Sequence, residues 1–485
     1  MKNSSIILSL ALVFHLLFWE AGLGLNVVLF SLAASGAATW LKPEESSRPM
    51  VRALLAGWCL SAFFVFLHHS DLSMLVYWVF LFTLIGYLQA TEVRFWLAGL
   101  MESIRGLFAG WIISVRNLGE TSSENSTNWK NTWRQVRLWF LPIAIIVPFY
   151  IIYSNANSTL GSINSKLDEW LGLLFQFDLH WGRFFIFLLG WVLVVALLGQ
   201  RSGIPALHNL FKDWQFPLVR KRKPVYWNTS TIGLKYEYQM ATYTFLALNG
   251  LLLFVNTLDL IFVWFSPQER TAAELSQYVH QGTWLLIFSI VLAMLVVVFF
   301  LRNNLNFYPR NERLKQHALI WLAQNAFLAL SVGMRNGHYI SQYGLAHGRI
   351  VVIFFLLLVL YGLYTMYHKI EGPQSTFFLL EMNGRAMLAA LLIAAAFNWD
   401  SLITRYNLQQ DKPDTYHATV LLSNNMVPIL KAAQKSDVFD SEVSEERIQI
   451  RGSRLEKKVE QQDWRSWNWS TYRQLKAWQA YQNVN

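Results

Sequence analysis

Residues 52–89 read RALLAGWCLSAFFVFLHHSDLSMLVYWVFLFTLIGYLQ: two apolar runs, 52–68 and 72–89, with His68, His69 and Asp71 at their junction. A helix crosses the hydrocarbon core of a bilayer with roughly 20 apolar residues, about 17 to 25. Each run meets that length, and the junction is long enough only for a short loop. The stretch therefore predicts a transmembrane helical hairpin.

The same pattern recurs on both sides of it. Apolar cores fall at 5–19, 24–41, 52–68, 72–89, 138–153, 182–199, 240–265, 281–301, 316–334, 347–367 and 384–399. Pro142 and Pro148 inside the fifth are tolerable in a lipid-embedded helix. A cleaved signal peptide is the rival reading of residues 1–24, but no small-x-small cleavage site precedes the next run, so a retained helix is expected. The expectation is an all-α integral membrane protein with about 11 spans. Residues 1–399 would form a polytopic transmembrane domain and residues 400–485 a small external helical C-terminal domain.

Composition agrees. Of 485 residues, 54% are hydrophobic and 14% charged, and the mean hydropathy is +0.30. Soluble proteins carry about 25% charged residues, so this chain is too poor in charge to cover a water-facing surface. The 22 Trp and 19 Tyr suit two membrane–water boundaries. One cysteine, Cys59, excludes an intrachain disulfide or a multi-cysteine metal site. A net charge of +10 would suit nucleic acid, but the basic residues flank the apolar runs, so no nucleic-acid partner is expected.

Lys and Arg fall in alternate gaps. Twenty-three lie at the N-terminus and in the even gaps, among them Lys42, Arg48, Arg52, Arg220, Lys221, Arg222 and Lys223. Five lie on the other side: Lys166, Arg183, Arg270, Arg335 and Arg349. The positive-inside rule then places the N-terminus in the cytoplasm and residues 400–485 outside.

Two segments are expected to lie on the membrane rather than across it. Residues 93–116 mix Phe95, Trp96, Leu100, Leu107, Phe108 and Trp111 with Arg94, Glu102, Arg105 and Arg116, the pattern of an interfacial helix on an anionic leaflet. A spanning helix here would have to bury Glu102 and Arg105. Residues 160–175 repeat the pattern on the other side, and 119–131 form a polar loop. Helical periodicity returns at 416–434 and 442–462, followed by an aromatic cluster from Trp464 to Tyr481.

Polar groups at bilayer depth are costly and direct attention to function. They are His15, Asn249, Asn256, Asp259, Gln324 and Asn325. For the amides the plainer role is interhelical hydrogen bonding. Asp259 has two readings: an ion pair with Arg335 or Arg349, or a proton-coupling or substrate-binding carboxylate. With the topology applied, polar residues gather at the external ends of the later spans. Asp259, His280, Arg335, His338, Tyr343, Arg349 and Arg405 are the ligand-binding candidates, accompanied by Gln281, Asn336, Tyr339, Asp400, Tyr406 and Asn407. Arg forks bind phosphate or carboxylate bidentately, and aromatic faces stack on rings; ordinary polar loop chemistry is the plain alternative. His68 and His69 are adjacent and diverge on a helix, unlike the i, i+4 pair that shares a metal. His317, His347 and His417 have no evident partners. No metal or cofactor is expected. Phosphate-loop, dinucleotide, H-E-x-x-H and G-x-S-x-G motifs do not occur.

Several short elements carry a resemblance: Gly24-Leu25-Asn26, Tyr278-Val279-His280-Gln281-Gly282, Tyr343-Gly344-Leu345 with Arg349, Arg405-Tyr406-Asn407, Tyr416, Leu422-Ser423 and Val427-Pro428. The chain resembles uncharacterised multi-pass bacterial membrane proteins grouped as domains of unknown function, over most of residues 20–470. At position 346 it has Ala where the pattern usually has Thr. The resemblance implies the same topology in a bacterial inner membrane and supplies no activity.

Three functions remain open. The first is binding or transport of a polar or lipid-linked anionic ligand at the outer face. The second is a membrane-embedded transferase acting on a lipid-linked substrate, with Asp259, His280 or His338 as base. The third is a scaffold or signalling subunit that docks a protein partner through residues 400–485. Membrane lipids are partners in all three.

Overall fold

The computed structural model describes residues 2–90, 92–107, 181–199, 209, 214–218, 231–265, 283–301, 304–410, 413–435, 439 and 442–484. Among them no strand occurs, and one isolated bridge joins Pro217 to Gln374. The helices are α1 (Lys2–Phe18), α2 (Leu25–Leu41), α3 (Pro43–Ser47), α4 (Pro49–His68), α5 (Asp71–Gln89), α6 (Trp181–Leu198), α7 (Thr231–Asp259) and α8 (Thr283–Phe300). They continue with α9 (Asn311–Tyr343), α10 (His347–Glu371), α11 (Thr376–Ala395), α12 (Trp399–Asn407), α13 (Met426–Ala433), α14 (Glu442–Glu460) and α15 (Trp469–Gln482). Among the described residues six helices are long and apolar enough to cross a membrane: α4, α5, α7 with its π-helical extension to Phe265, α9, α10 and α11. Parts of α1, α2, α6 and α8 are apolar but shorter. The core 138–153, the loop 119–131, the segment 160–175, and His280 and Gln281 lie outside the described residues.

The chain divides into two compact units. The first comprises Met1–Trp19 and Ile104–Gln200. In it α1 packs on α6 at small residues: a Cβ on Gly190 would stand 2.4 Å from the Phe14 ring, and one on Gly182 2.7 Å from Trp19. Such close approach is how membrane helices gain contact area without a hydrophobic drive between them. His15 sits in the aromatic layer, 6.1 Å from the Trp19 ring and 6.3 Å from Phe187.

The second unit comprises Glu20–Ser103 and Arg201–Asn485. Its α4–α5 hairpin turns on His69, whose φ of 48° closes α4 in the left-handed region. Ser70 then caps α5, accepting from the Ser73 amide at 3.2 Å while Ser73 Oγ accepts from the Ser70 amide. Between the two helices Trp58 and Tyr77 are buried with ring centroids 6.0 Å apart. A larger core joins α7, α8, α9 and α10 around Phe245, Ile290, Val297, Leu314, Ala318 and Val332.

Residues 96–107 are helical, as expected within 93–116, and their start packs on α5 and α11. A Cβ on Gly86 would stand 1.9 Å from Gly99 O, and one on Gly384 2.6 Å from Trp96. Glu102 is buried, against the solvent-facing place expected for it. A second difference concerns α9, which continues to Tyr343. Arg335, Asn336, His338 and Tyr339 therefore occupy its last turns rather than a loop. At 33 residues it is roughly 50 Å long, well beyond a bilayer core.

The C-terminal segment is helical where periodicity places it, with a π-turn at His417–Leu421 followed by α13, α14 and α15. Trp478 fills a core with Ile429, Phe439 and Ile448, and its Nε1 donates to Glu456 Oε1 at 2.9 Å. Gly452 is required beneath it, because a Cβ would lie 2.2 Å from the indole. This segment joins the bundle at the ends of α2 and α4. Leu25 N donates to Trp467 O at 2.9 Å, the Phe66 and Trp467 rings lie 5.3 Å apart, and Asn424 Nδ2 donates to His69 O at 3.2 Å. Gly24 is needed there as well, since a Cβ would stand 2.3 Å from Ser466 O.

Candidate functional site

Two polar constructions occupy the second unit, one along α7 and α9 and one at the bundle end where the C-terminal segment docks. In the first, Asn249 Nδ2 donates to His317 O at 3.0 Å and Asn256 Nδ2 to Gln324 O at 3.1 Å. Both steps are seven residues in the same direction, so α7 and α9 run parallel with a heptad seam. Gln324 Nε2 also donates to Asn249 Oδ1 at 2.8 Å, and Trp264 Nε1 to Ser331 Oγ at 3.1 Å. Near the end of the seam Asp259 pairs with Arg335, both buried, with side chains 7% and 10% exposed. Asp259 Oδ2 is buried and takes no hydrogen bond from the described residues. Immediately after Asp259 the helix widens into the π-helical turn Leu260–Phe265, which brings Trp264 to Ser331.

In the second construction α9 ends at Gly344, whose φ of +75° turns the chain toward α10. Arg349 holds this turn. Its Nη1 donates to Tyr343 O at 2.8 Å and to Gly344 O, and its guanidinium carbon lies 4.1 Å over the Tyr339 ring. A helix ends with carbonyls that lack intrahelical partners and carry partial negative charge. Arg349 supplies both a donor and a positive charge there. Asn407 closes the turn from α12: its Oδ1 accepts from Leu345 N at 2.6 Å and its Nδ2 donates to Leu345 O at 2.9 Å. The Tyr343-Gly344-Leu345…Arg349 and Arg405-Tyr406-Asn407 elements thus meet in one turn.

Beside this turn His347 Nε2 lies 3.0 Å from Asp400 Oδ1. Asp400 Oδ2 accepts from Ser423 N at 3.0 Å, Ser423 Oγ at 3.2 Å and Asn424 N at 2.8 Å. Burial alone would raise the Asp400 pKa, but the bonds from His347, Asn424 and Ser423 outweigh it and bring the carboxyl to about 2. His417 shares this field. Burial lowers its pKa, the charges of His347 and Arg349 add to that, and Asp414 and Asp400 oppose it. Arg451 ties the segment together, donating to Ser423 O at 2.9 Å and Asn425 Oδ1 at 2.8 Å.

The seven sequence candidates separate accordingly. Asp259 and Arg335 pair with each other on the α7–α9 seam. Arg349 and Tyr343 share the turn. His338 is half-buried on α9, with Nε2 buried and accepting no bond from the described residues. Arg405 is exposed on α12, and His280 lies outside the described residues. His347, Asp400 and His417 were not among them. The available signal was weak: His347 and Asp400 each open a helix at the same end of the bundle. Among the described residues no group of three or more His, Cys, Asp or Glu side chains is placed to hold a metal. Chemically the turn offers a guanidinium fixed on two carbonyls and a ring, and an imidazole oriented by an ionised carboxylate. That pairing suits an anion.

Residues 7–433 match the model of a family described as "Domain of unknown function (DUF4153)". No curated protein and no solved structure matches the chain.

Proposed function

The chain belongs to this family of unknown function, and we propose that it binds a polar or lipid-linked anionic ligand at the end of the bundle where α9 meets α10. The observation that carries the reading is the pre-set pair of nitrogen donors, Arg349 and His347. Arg349 is held on the Tyr343 and Gly344 carbonyls and over Tyr339, so little side-chain freedom is lost on binding. His347, whose side chain is 53% exposed, is oriented by Asp400 two residues from that guanidinium in sequence. Tyr343, itself exposed, offers a ring and hydroxyl at the same rim. Asp259 and Arg335 lie on the α7–α9 seam and neutralise each other, which supports a binding rim over a charged conduit. The alternation of basic gaps supports placing this rim on the outer face of the membrane, and the resemblance implies a bacterial inner membrane.

Purified protein titrated with inorganic pyrophosphate tests the reading by thermal stabilisation. His347→Gln keeps size and removes the imidazole, and Arg349→Lys keeps charge and removes the fork. Each is expected to weaken apparent affinity about tenfold, the weight of one charge-assisted hydrogen bond. Equal stabilisation of wild type and His347→Gln would remove this rim from the site.

A further inference from the structure

At the opposite end of the second unit a cavity of about 370 Å³ opens between α4, α5 and α11. Ala53 and Leu54 of α4, Phe80 of α5, and Leu388 and Leu392 of α11 wall it, and its one charged side chain is Arg385. Gly57 lets Phe80 lie close against α4, since a Cβ there would stand 2.2 Å from the ring. The walls belong to three helices of membrane-spanning length and apolarity. Ala53 and Ala389 on the walls are exposed, so the cavity is open to the surroundings of the bundle.

Arg385 is the polar end of this groove. It pairs with Glu381 one turn earlier, and Glu381 is held on its other oxygen by Trp214 Nε1 at 3.2 Å. The acid is buried, while the Arg385 side chain is 50% exposed. Nearby, Arg48 is taken by the Tyr87 and Glu45 carbonyls. Arg52, on the turn of α4 that lines the cavity, is exposed and adds positive charge. An apolar slot at lipid depth beneath exposed arginines is complementary to one class of molecule.

We propose that the groove holds an acyl chain of an anionic phospholipid, with the phosphate on Arg385 and Arg52. A water-soluble anion has no use for the apolar walls, and a zwitterionic lipid has no net charge to match the arginines. The site is independent of the rim between α9 and α10.

The test uses full-length protein in nanodiscs of phosphatidylcholine with equimolar phosphatidylglycerol, ejected into a mass spectrometer. Wild type should retain phosphatidylglycerol about five-fold over phosphatidylcholine, the weight of about one basic residue at a membrane surface. The double variant Glu381→Gln/Arg385→Gln leaves no orphaned acid and should lose the preference. Ala389→Phe fills the groove and should reduce retention of both lipids. Equal retention by wild type, or an undiminished preference in the double variant, overturns the proposal. So does a wild type that retains no lipid and carries a co-purifying polypeptide displaced by Ala389→Phe.

Discussion

Arg335 and Arg349 stand 14 positions apart at one end of the α9–α10 hairpin, and the chain neutralises them by different means. Arg335 faces α7, where it is met by a carboxylate, Asp259. Arg349 faces a helix terminus and is met by carbonyls and a ring. Both run against the expected bias of basic residues, and each has a local reason for doing so. Depth decides which means is used: within the bundle a counter-charge is needed, whereas at the terminus the backbone supplies partial charges already oriented.

The comparison breaks hardest at the buried pair. Asp259→Ala leaves Arg335 buried without its counter-charge and should cost about 3–5 kcal/mol of unfolding free energy in detergent. Removing both charges, with Arg335→Met added, should restore most of it. A double-mutant cycle showing additive losses would mean that the two side chains do not act as a pair.

The turn should break more gently. Gly344→Ala forces a positive φ on a residue with a Cβ and pushes that Cβ to 2.5 Å from Asn407 Oδ1. A positive φ with extended ψ is a conformation essentially confined to glycine and costs another residue about 1–3 kcal/mol, so a loss of about 2 kcal/mol is expected. Asn407→Ala, which removes two hydrogen bonds to Leu345, should cost about as much. If Gly344→Ala melts at the wild-type temperature, the turn is not set by this clamp.

The amide ladder should matter least of the buried contacts. Hydrogen bonds between membrane helices average about 0.6 kcal/mol, because the unfolded state in lipid finds partners too. Replacing Asn249 and Gln324 together by Leu should therefore cost under about 1 kcal/mol, and a loss several times larger would give the ladder a role beyond packing.

A smaller effect separates the docked segment from the bundle through pH. Burial lowers the His69 pKa and Lys458 adds to this, while the bond to the Leu23 carbonyl and the charge of Asp71 only partly offset it. The folded protein thus favours the neutral imidazole. Its contribution is complete above the unfolded pKa of about 6.5 and is lost as pH falls below that toward the folded value. Asp400 has the opposite origin: its stabilisation persists until pH falls from about 4 toward 2. Proteolysis of the C-terminal segment should accelerate between pH 7.5 and pH 5.5 (chosen assay limits, on the order of one unit either side of 6.5), and His69→Gln should flatten that response. An unchanged slope in the variant would assign the acid sensitivity elsewhere, with His417 the next group to test.

Much of the architecture is legible because a run of apolar residues long enough to cross lipid is a strong, local signal. The hairpin at 52–89 and the late helices need nothing else. The end of α9 is less legible. Arg335 and His338 look like loop residues, because polarity alone does not tell a loop from a helix that continues past the membrane core. The partners of His347 were hidden for a different reason. Asp400 arrives with α12, and Ser423 and Asn424 with the segment after it, so no local pattern announces them. The fate of Arg349 was hidden in the same way, since its main partners are backbone atoms that any residue would supply.

The bond from Leu25 N to Trp467 O gives the chain an order of completion. The first turn of α2 is synthesised about 440 residues ahead of the carbonyl that satisfies its leading amide. Until residue 467 reaches it, α2 carries an unsatisfied end beside Gly24, shaped to receive the Ser466–Trp467 backbone. Without that contact α2 would keep its helix but not this closure, leaving an exposed backbone edge beside Gly24.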